Sequence, residues 1–130
     1  MKFYIASSFQ NIEQVKNVAS ALTQKGFIHT YDWTENDRAD TLDKLKSIGE
    51  AEKQAVEDSD FVVILLPGGK GSHIELGIAL GLNKRLFLYS QTDDLFTPEK
   101  SSTFYHLMGV NKFVGSLDEF IAYLLKNVTM

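Results

Sequence analysis

The chain has 130 residues, of which 44% are hydrophobic, and this length fits one ordinary domain with a single core. Thirteen Lys and Arg against seventeen Asp and Glu give a net charge of -4, which argues against binding to a nucleic-acid backbone. Cysteine is absent, so disulfides, thiolate metal sites and thiol nucleophiles are excluded.

Apolar runs alternate with longer helical patterns, as in a parallel α/β sheet whose strands are buried on both faces. Phe3 to Ala6 is predicted as the first strand and Phe27 to Trp33 as the second. The segment between them is predicted as a helix with Asn11 as its N-cap and Gly26 at its end. Its apolar stripe consists of Ile12, Val15, Val18, Ala19 and Leu22.

Two helices are predicted on either side of a central strand. Ala39 to Ser59 fits an amphipathic helix with a solvated face. Phe61 to Leu66, rich in β-branched residues and closed by Pro67, is predicted as the third strand. Ser72 to Asn83 is almost wholly apolar, so we expect a buried helix there. The apolar positions of the amphipathic helix are Leu42, Leu45, Ile48, Ala55 and Val56.

The last third of the chain adds two more strands and a helix. Arg85 to Ser90 is predicted as the fourth strand and Val110 to Val114 as the fifth, with a long loop between them over Gln91 to Met108 that has room for a short helix. Ser116 to Glu119 forms a capping box that opens the final helix. Its inward residues are predicted to be Leu117, Phe120, Ile121, Leu124 and Leu125.

Five such units predict a flavodoxin-like, Rossmann-like three-layer sandwich over residues 1–130, with a five-stranded parallel sheet in the order 2-1-3-4-5. Ligands of such sheets bind outside the carboxyl ends of the strands, where the winding direction switches. Here that place is formed by the loops after the first and third strands, Ala6 to Phe9 and Pro67 to His73.

The loop after the third strand contains Gly68, Gly69 and Gly71, which let the main chain approach a ligand closely. It precedes a helix N-terminus, which favours anions. It is not a Walker A loop, since Lys70 is followed by glycine, and it lacks the G-x-G-x-x-G pattern. A plain tight turn has the same composition, so both interpretations stay open.

Glu75 is the only charged residue between Ser72 and Asn83, and a charge in a buried helix needs a reason. One reason is a capping box in which Glu75 folds back onto the Ser72 amide. The other is chemistry, because the helix dipole would hold a first-turn carboxylate ionised at the crevice, as a nucleophile requires.

Glu52 borders the apolar stripe of the second predicted helix, where it is either a solvated glutamate or a general acid that pairs with Glu75. Tyr4, Asp32 and Trp33 fall on or after strands and either line the crevice or belong to the core. His73 fits a surface position or a ligand contact. The three histidines show no paired spacing, so we expect no metal site.

The segments Tyr4 to Ser8, Ala55 to Pro67 and Gly68 to Gly77 resemble the nucleoside 2-deoxyribosyltransferase family, which includes nucleoside 5'-monophosphate N-glycosidases. Glu75-Leu76-Gly77 after the glycine loop is the most specific part of the resemblance. The resemblance implies a flavodoxin-like sheet and homodimers or higher oligomers. It further implies a nucleoside or nucleotide as the small-molecule partner.

The resemblance also implies roles for three residues. Glu75 matches the glutamate that attacks C1' of the sugar and forms a glycosyl-enzyme ester, and Tyr4 matches the tyrosine that positions it. Glu52 falls where the family usually has an aspartate. Two departures from the family pattern concern the substrate. Ser7 stands where relatives commonly have glycine, and Gln10 falls near the position where the monophosphate hydrolases carry an arginine that binds the phosphate. The expected substrate-binding residues are Ser7, Ser8, Asp32, Trp33, Gly69, Lys70, Gly71, Ser72 and His73.

The sequence therefore predicts a cytoplasmic enzyme, without a membrane partner or a cofactor, that cleaves an N-glycosidic bond and passes the sugar to another base or to water. Its longest apolar run has six residues, whereas a membrane helix needs roughly 20. Two alternatives stay open: a non-catalytic nucleoside- or nucleotide-binding module, and a glycohydrolase that acts on NAD-like dinucleotides.

Overall fold

A computed structural model describes residues 1–129. Its strands are β1 (Lys2–Ala6), β2 (Ile28–His29), β3 (Phe61–Leu65), β4 (Arg85–Ser90) and β5 (Val110–Val114). Its α-helices are α1 (Ile12–Gln24), α2 (Leu42–Asp58), α3 (Lys70–Gly81) and α4 (Leu117–Asn127). Short 3-10 helices cover Phe9–Asn11, Trp33–Glu35, Asp93–Phe96 and Thr103–His106.

The strands form one parallel sheet in the order β2-β1-β3-β4-β5, which confirms the predicted topology. Helices α2 and α3 pack together, and α1 packs with α4. Right-handed crossovers place these two pairs on opposite faces of the sheet, and the result is the predicted three-layer sandwich. All five residues of β3 are buried, as expected for the central strand.

Helix boundaries follow local capping chemistry. The Thr41 side chain accepts a hydrogen bond from the Lys44 amide at the start of α2. Gly26 follows the end of α1 with a φ of 89°, a left-handed conformation that glycine adopts without strain. The predicted capping box is confirmed at α4, where Ser116 and Glu119 exchange side-chain to backbone hydrogen bonds of 3.1 Å.

The second strand is much shorter than predicted. It was expected over Phe27 to Trp33, but only Ile28 and His29 pair with β1, and the Thr30 amide makes the last bond to the Phe3 carbonyl. After that the chain turns away, because the Asp32 side chain caps the 3-10 helix at Trp33. Local capping therefore outweighs the strand propensity of this segment.

Two predictions about burial are wrong. Helix α3 was expected to be wholly buried, yet Ile74 is 64% exposed and Leu82 is 48% exposed. In α2, Ala55 and Val56 are buried as expected, whereas Leu42 is 83% exposed. The sheet covers only one side of each helix, so the apolar residues on the other side remain at the surface. Within residues 1–129, no helix is long and apolar enough to cross a membrane.

Candidate active site

A cavity of about 700 Å³ opens at the carboxyl ends of β1 and β3, on the face of the sheet that carries α2 and α3. This is the place that the sheet topology predicts for a ligand. Its lining includes Ser7, Ser8, Phe9, Trp33, Arg38, Leu45, Ile48, Glu52, Gly69, Lys70, Gly71, Ser72 and Glu75.

Three side chains from three elements meet at this cavity. Tyr4 lies on β1 and is fully buried, Glu52 lies on α2, and Glu75 lies on α3. The Tyr4 hydroxyl donates a hydrogen bond of 2.7 Å to Oε2 of Glu75, and its oxygen lies 3.3 Å from Oε2 of Glu52. Since both carboxylate oxygens contact one hydroxyl, they lie at most about 6 Å apart.

Burial controls the protonation of this cluster. It raises the pKa of Glu75 to about 8, assisted by the negative charge of Glu52 and opposed by the Tyr4 hydrogen bond. Burial likewise raises the pKa of Glu52. The pKa of Tyr4 is raised by burial and by both carboxylates, so its hydroxyl keeps its proton. The pair of carboxyl groups therefore retains a proton near neutral pH.

Glu75 does not cap its own helix. Helix α3 begins at Lys70, two residues earlier than predicted, and the Gly69 amide donates a hydrogen bond of 2.7 Å to Ser72 Oγ. The hydroxyl of Ser72 in turn donates to the Gly69 carbonyl. The capping-box interpretation of Glu75 is wrong, because the cap involves Ser72 instead and the Glu75 carboxyl is 7% exposed against Tyr4.

The two serines after β1 use their hydroxyl hydrogens within the protein. Ser7 Oγ donates to the Leu65 carbonyl at 2.8 Å, and Ser8 Oγ donates to the Pro67 carbonyl at 3.1 Å. A hydroxyl has one hydrogen to donate. In this arrangement both side chains line the cavity, and they can offer a ligand only acceptor oxygens.

Two cationic side chains line the cavity. Lys70 and Arg38 both line the cavity, and within residues 1–129 neither forms an ion pair. Gly69 and Gly71 stand beside Lys70 at the N-terminus of α3, whose free amides and dipole favour an anion. Arg38 was not predicted, since a lone arginine in a polar loop carries no motif.

An apolar wall completes the cavity. The Trp33 ring packs edge-on against Phe9, with centroids 5.5 Å apart, and the Trp33 Nε1–H donates to the Ile5 carbonyl. Leu45 and Ile48 of α2 line the same space. Sequence analysis placed these two residues on the apolar stripe of an amphipathic helix and did not assign them to the site. Both lie in the N-terminal half of α2, whereas the buried residues of that helix lie in its C-terminal half.

Two expected binding residues lie outside the cavity wall. The Asp32 side chain accepts a hydrogen bond from the Thr34 amide and caps the following 3-10 helix. Both ring nitrogens of His73 are engaged, by the Gly69 carbonyl at 2.8 Å and the Tyr105 hydroxyl at 2.6 Å. Asp32 and His73 therefore shape the loops around the site. Within residues 1–129, no three His, Asp or Glu side chains are grouped as metal ligands would be.

Comparison with known proteins gives one family and one fold. Residues 3–110 match the family described as Nucleoside 2-deoxyribosyltransferase. No protein of curated function matches the sequence significantly. Among solved structures, the CMP N-glycosidase BcmB of Clostridium botulinum superposes with a TM-score of 0.66 over 95% of this chain and 98% of that chain, at 15% sequence identity. This likeness shows that the two chains share a fold.

Proposed function

Because the chain belongs to the nucleoside 2-deoxyribosyltransferase family, we propose that it binds a nucleoside or nucleoside 5'-monophosphate in the cavity and cleaves its N-glycosidic bond. The observation that carries this proposal is the contact of Tyr4 with both Glu75 and Glu52 at the cavity. A buried pair of carboxyl groups that holds one proton supplies both a nucleophile and an acid.

Burial raises the pKa of Glu75 to about 8, so the free pair holds its proton there. In the first half of the proposed reaction this proton passes to Glu52, and Glu75 is ionised. A Glu75 carboxylate oxygen attacks C1' of the sugar, and the bond between C1' and the base nitrogen breaks. The electron pair of that bond leaves with the base, which takes the proton from Glu52. Tyr4 keeps Glu75 oriented through its hydrogen bond.

In the second half, another base or water attacks C1' and displaces the Glu75 carboxylate. Glu52, now ionised, accepts the proton that the attacking group loses. Two displacements at C1' retain its configuration. Retaining glycosidases hold their two carboxyl groups close together, about 5 to 5.5 Å apart, and the Oε2 atoms of Glu52 and Glu75 lie at most about 6 Å apart.

The lining of the cavity supports a substrate with a flat apolar end and an anionic end. Phe9, Trp33, Leu45 and Ile48 offer an apolar surface suited to a base. Lys70, at the start of α3, offers a cation and helix amides suited to a phosphate. We propose that the base lies against the apolar wall and the sugar lies over Glu75.

The test is a chromatographic assay of the purified protein with ribo- and deoxyribonucleosides and their 5'-monophosphates, with and without a free acceptor base. We expect base release by the wild type and none by Glu75→Gln. A new nucleoside on adding the acceptor base identifies a transferase, and free sugar or sugar phosphate alone identifies a hydrolase. Saturable binding of a panel member without any turnover would contradict catalysis and leave a binding module.

A further inference from the structure

Asn11 stands at the N-cap of α1, but its side chain does not cap that helix. It is buried, and its amide nitrogen donates to Ser7 Oγ at 3.0 Å and to the Pro67 carbonyl at 2.9 Å. An asparagine at this position ordinarily accepts a hydrogen bond from the first turn of the helix. A side chain diverted from a local role to a distant loop is typical of a functional site.

The two hydrogen bonds of Asn11 belong to a set of four that joins the loops on either side of the cavity. Ser7 and Ser8, after β1, donate to the carbonyls of Leu65 and Pro67, at the end of β3. Asn11 bonds to one residue of each loop. The joined segment leads directly into Gly68 and Gly69, which precede the first turn of α3 at the anion-favouring end of the cavity.

Only a side chain with two hydrogens on one atom can make both of the Asn11 bonds, because Ser7 Oγ already donates its hydrogen elsewhere and a carbonyl only accepts. Behind Asn11 lies a second cavity of about 230 Å³, bordered by Gln14, Tyr89 and Thr92. The space on that side is not filled by packed side chains, so packing alone does not fix the distance between the loops.

We propose that Asn11 is a positioning residue that sets the spacing between the loop after β1 and the glycine loop, and thereby the affinity of the cavity for its substrate. This inference rests on the proposed function. Glu75 is oriented separately, by Tyr4 on the buried strand β1. Loosening the two loops therefore weakens substrate binding and leaves the chemical step nearly intact.

The test compares Asn11→Asp with Asn17→Asp, which makes the same change on the exposed face of α1. Aspartate keeps the shape but cannot donate, and it places a carboxylate against the Pro67 carbonyl. For Asn11→Asp we expect KM to rise about tenfold with kcat within about threefold, as for a lost pair of buried hydrogen bonds. An unchanged KM, or a fall in kcat alone, would overturn the proposal.

Hydrogen exchange of the peptide spanning residues 66–72 gives a second readout that does not depend on turnover. We expect faster exchange in Asn11→Asp than in the wild type or Asn17→Asp, and equal exchange in all three would overturn the proposal. If Asn11→Asp fails to fold, Asn11→Ala carries the same comparison, with a smaller effect because water can enter from the second cavity. A wild type that releases no base contradicts the proposed function, while the exchange rates still decide the role of Asn11.

Discussion

The hydroxyl of Tyr4 explains how two carboxyl groups can share a small buried space. A buried carboxylate without a donor is costly, and a second one nearby adds repulsion. The strand β1 brings one O–H group to Glu75 at 2.7 Å, and burial keeps that group protonated by raising the pKa of Tyr4. The hydrogen bond does not fully offset the cost of burying the charged carboxylates, and the pKa values of Glu75 and Glu52 are therefore raised.

Glu75→Gln separates catalysis from stability. Gln keeps an oxygen for the Tyr4 hydrogen bond but is not a nucleophile, so we expect base release to fall by about a thousandfold or more. In the wild type, the Glu75 carboxyl group binds its proton more tightly in the folded protein than in the unfolded chain. The wild type therefore loses stability as the pH rises from about 4.5 to about 8, whereas the variant does not.

We accordingly expect Glu75→Gln to be more stable than the wild type at pH 8, by about 2 to 4 kcal/mol, with the difference vanishing near pH 4.5. Urea unfolding at several pH values measures this difference. The control is Glu50→Gln, an exposed position on α2, which should show no such pH dependence. A Glu75→Gln variant that is less stable at every pH would indicate a structural role for the carboxylate.

Glu52→Gln tests the acid. With one proton on the pair, kcat/KM of the wild type should show a bell-shaped pH profile whose two limbs belong to the coupled carboxyl groups. The variant should lose the alkaline limb, since its glutamine has no acid proton, and keep the limb that belongs to the ionisation of Glu75. It should also turn over poor leaving bases about a hundredfold more slowly, and good ones with a smaller deficit. Equal deficits for both kinds of base would exclude Glu52 as the acid.

Sequence analysis identified the site residues whose chemistry is unusual for the segment around them. It missed the apolar residues that look ordinary in their segments. Glu75 stood out as a charge within an apolar helix, and Tyr4 and Glu52 were singled out with it. Phe9 and Leu45 looked like ordinary apolar residues, because the cavity they line exists only once α2 has packed beside β1 and α3. Their roles depend on tertiary structure that no local pattern records.

The start of α3 depends on close packing in the turn that precedes it. A Cβ added at Gly68 would lie 2.3 Å from Ser72 Oγ, the atom that caps the helix. Gly68→Ala should therefore displace the cap and lower the free energy of unfolding by about 1 kcal/mol or more. It should also weaken substrate binding, since the amides at the start of α3 would move.

Gly71→Ala is the matched control, because nothing lies within 4 Å of a Cβ at that position. Alanine within the first turn of a helix should be neutral or stabilise the protein by up to about 1 kcal/mol. Thermal unfolding of both variants measures the difference. Equal melting temperatures would contradict the importance of the Ser72 cap.

At the scale of whole elements, the sequence predicted order and type better than extent and burial. Strand β3 and the capping box of α4 were predicted well because their signals are local and strong. Strand β2 was overestimated, since it is an edge strand with β1 as its one partner and its later residues cap a turn. Helix α3 was expected to be covered on all sides, and the sheet covers one.

The exposed apolar residues of the whole molecule occur on several elements, among them α2, α3 and the segment before β5. Ile74 lies on α3, Leu82 directly follows that helix, and Met108, which is 100% exposed, follows the segment that contains Phe104. Large exposed apolar side chains of this kind are enriched at interfaces between subunits. We propose that the protein is a homodimer or higher oligomer that covers this surface.

Ile74→Asp should shift the protein to a lower oligomeric state, because a carboxylate would be buried without a partner at the interface. Analytical ultracentrifugation at several concentrations measures the change. Leu42→Asp serves as the control, since Leu42 is more exposed still and lies on α2. A wild type that is monomeric at all concentrations would contradict the proposal.

The contact of Tyr4 with Glu52 and Glu75 also has a consequence for folding. These contacts join Tyr4 to residues that lie 48 and 71 positions further along the chain. They require β1 to have paired with β3 while α2 and α3 lie against the sheet. Such long-range closure is slow compared with helix formation. Catalytic activity should therefore return late during refolding, after helical signal has recovered, and its time course reports when the central strands have joined.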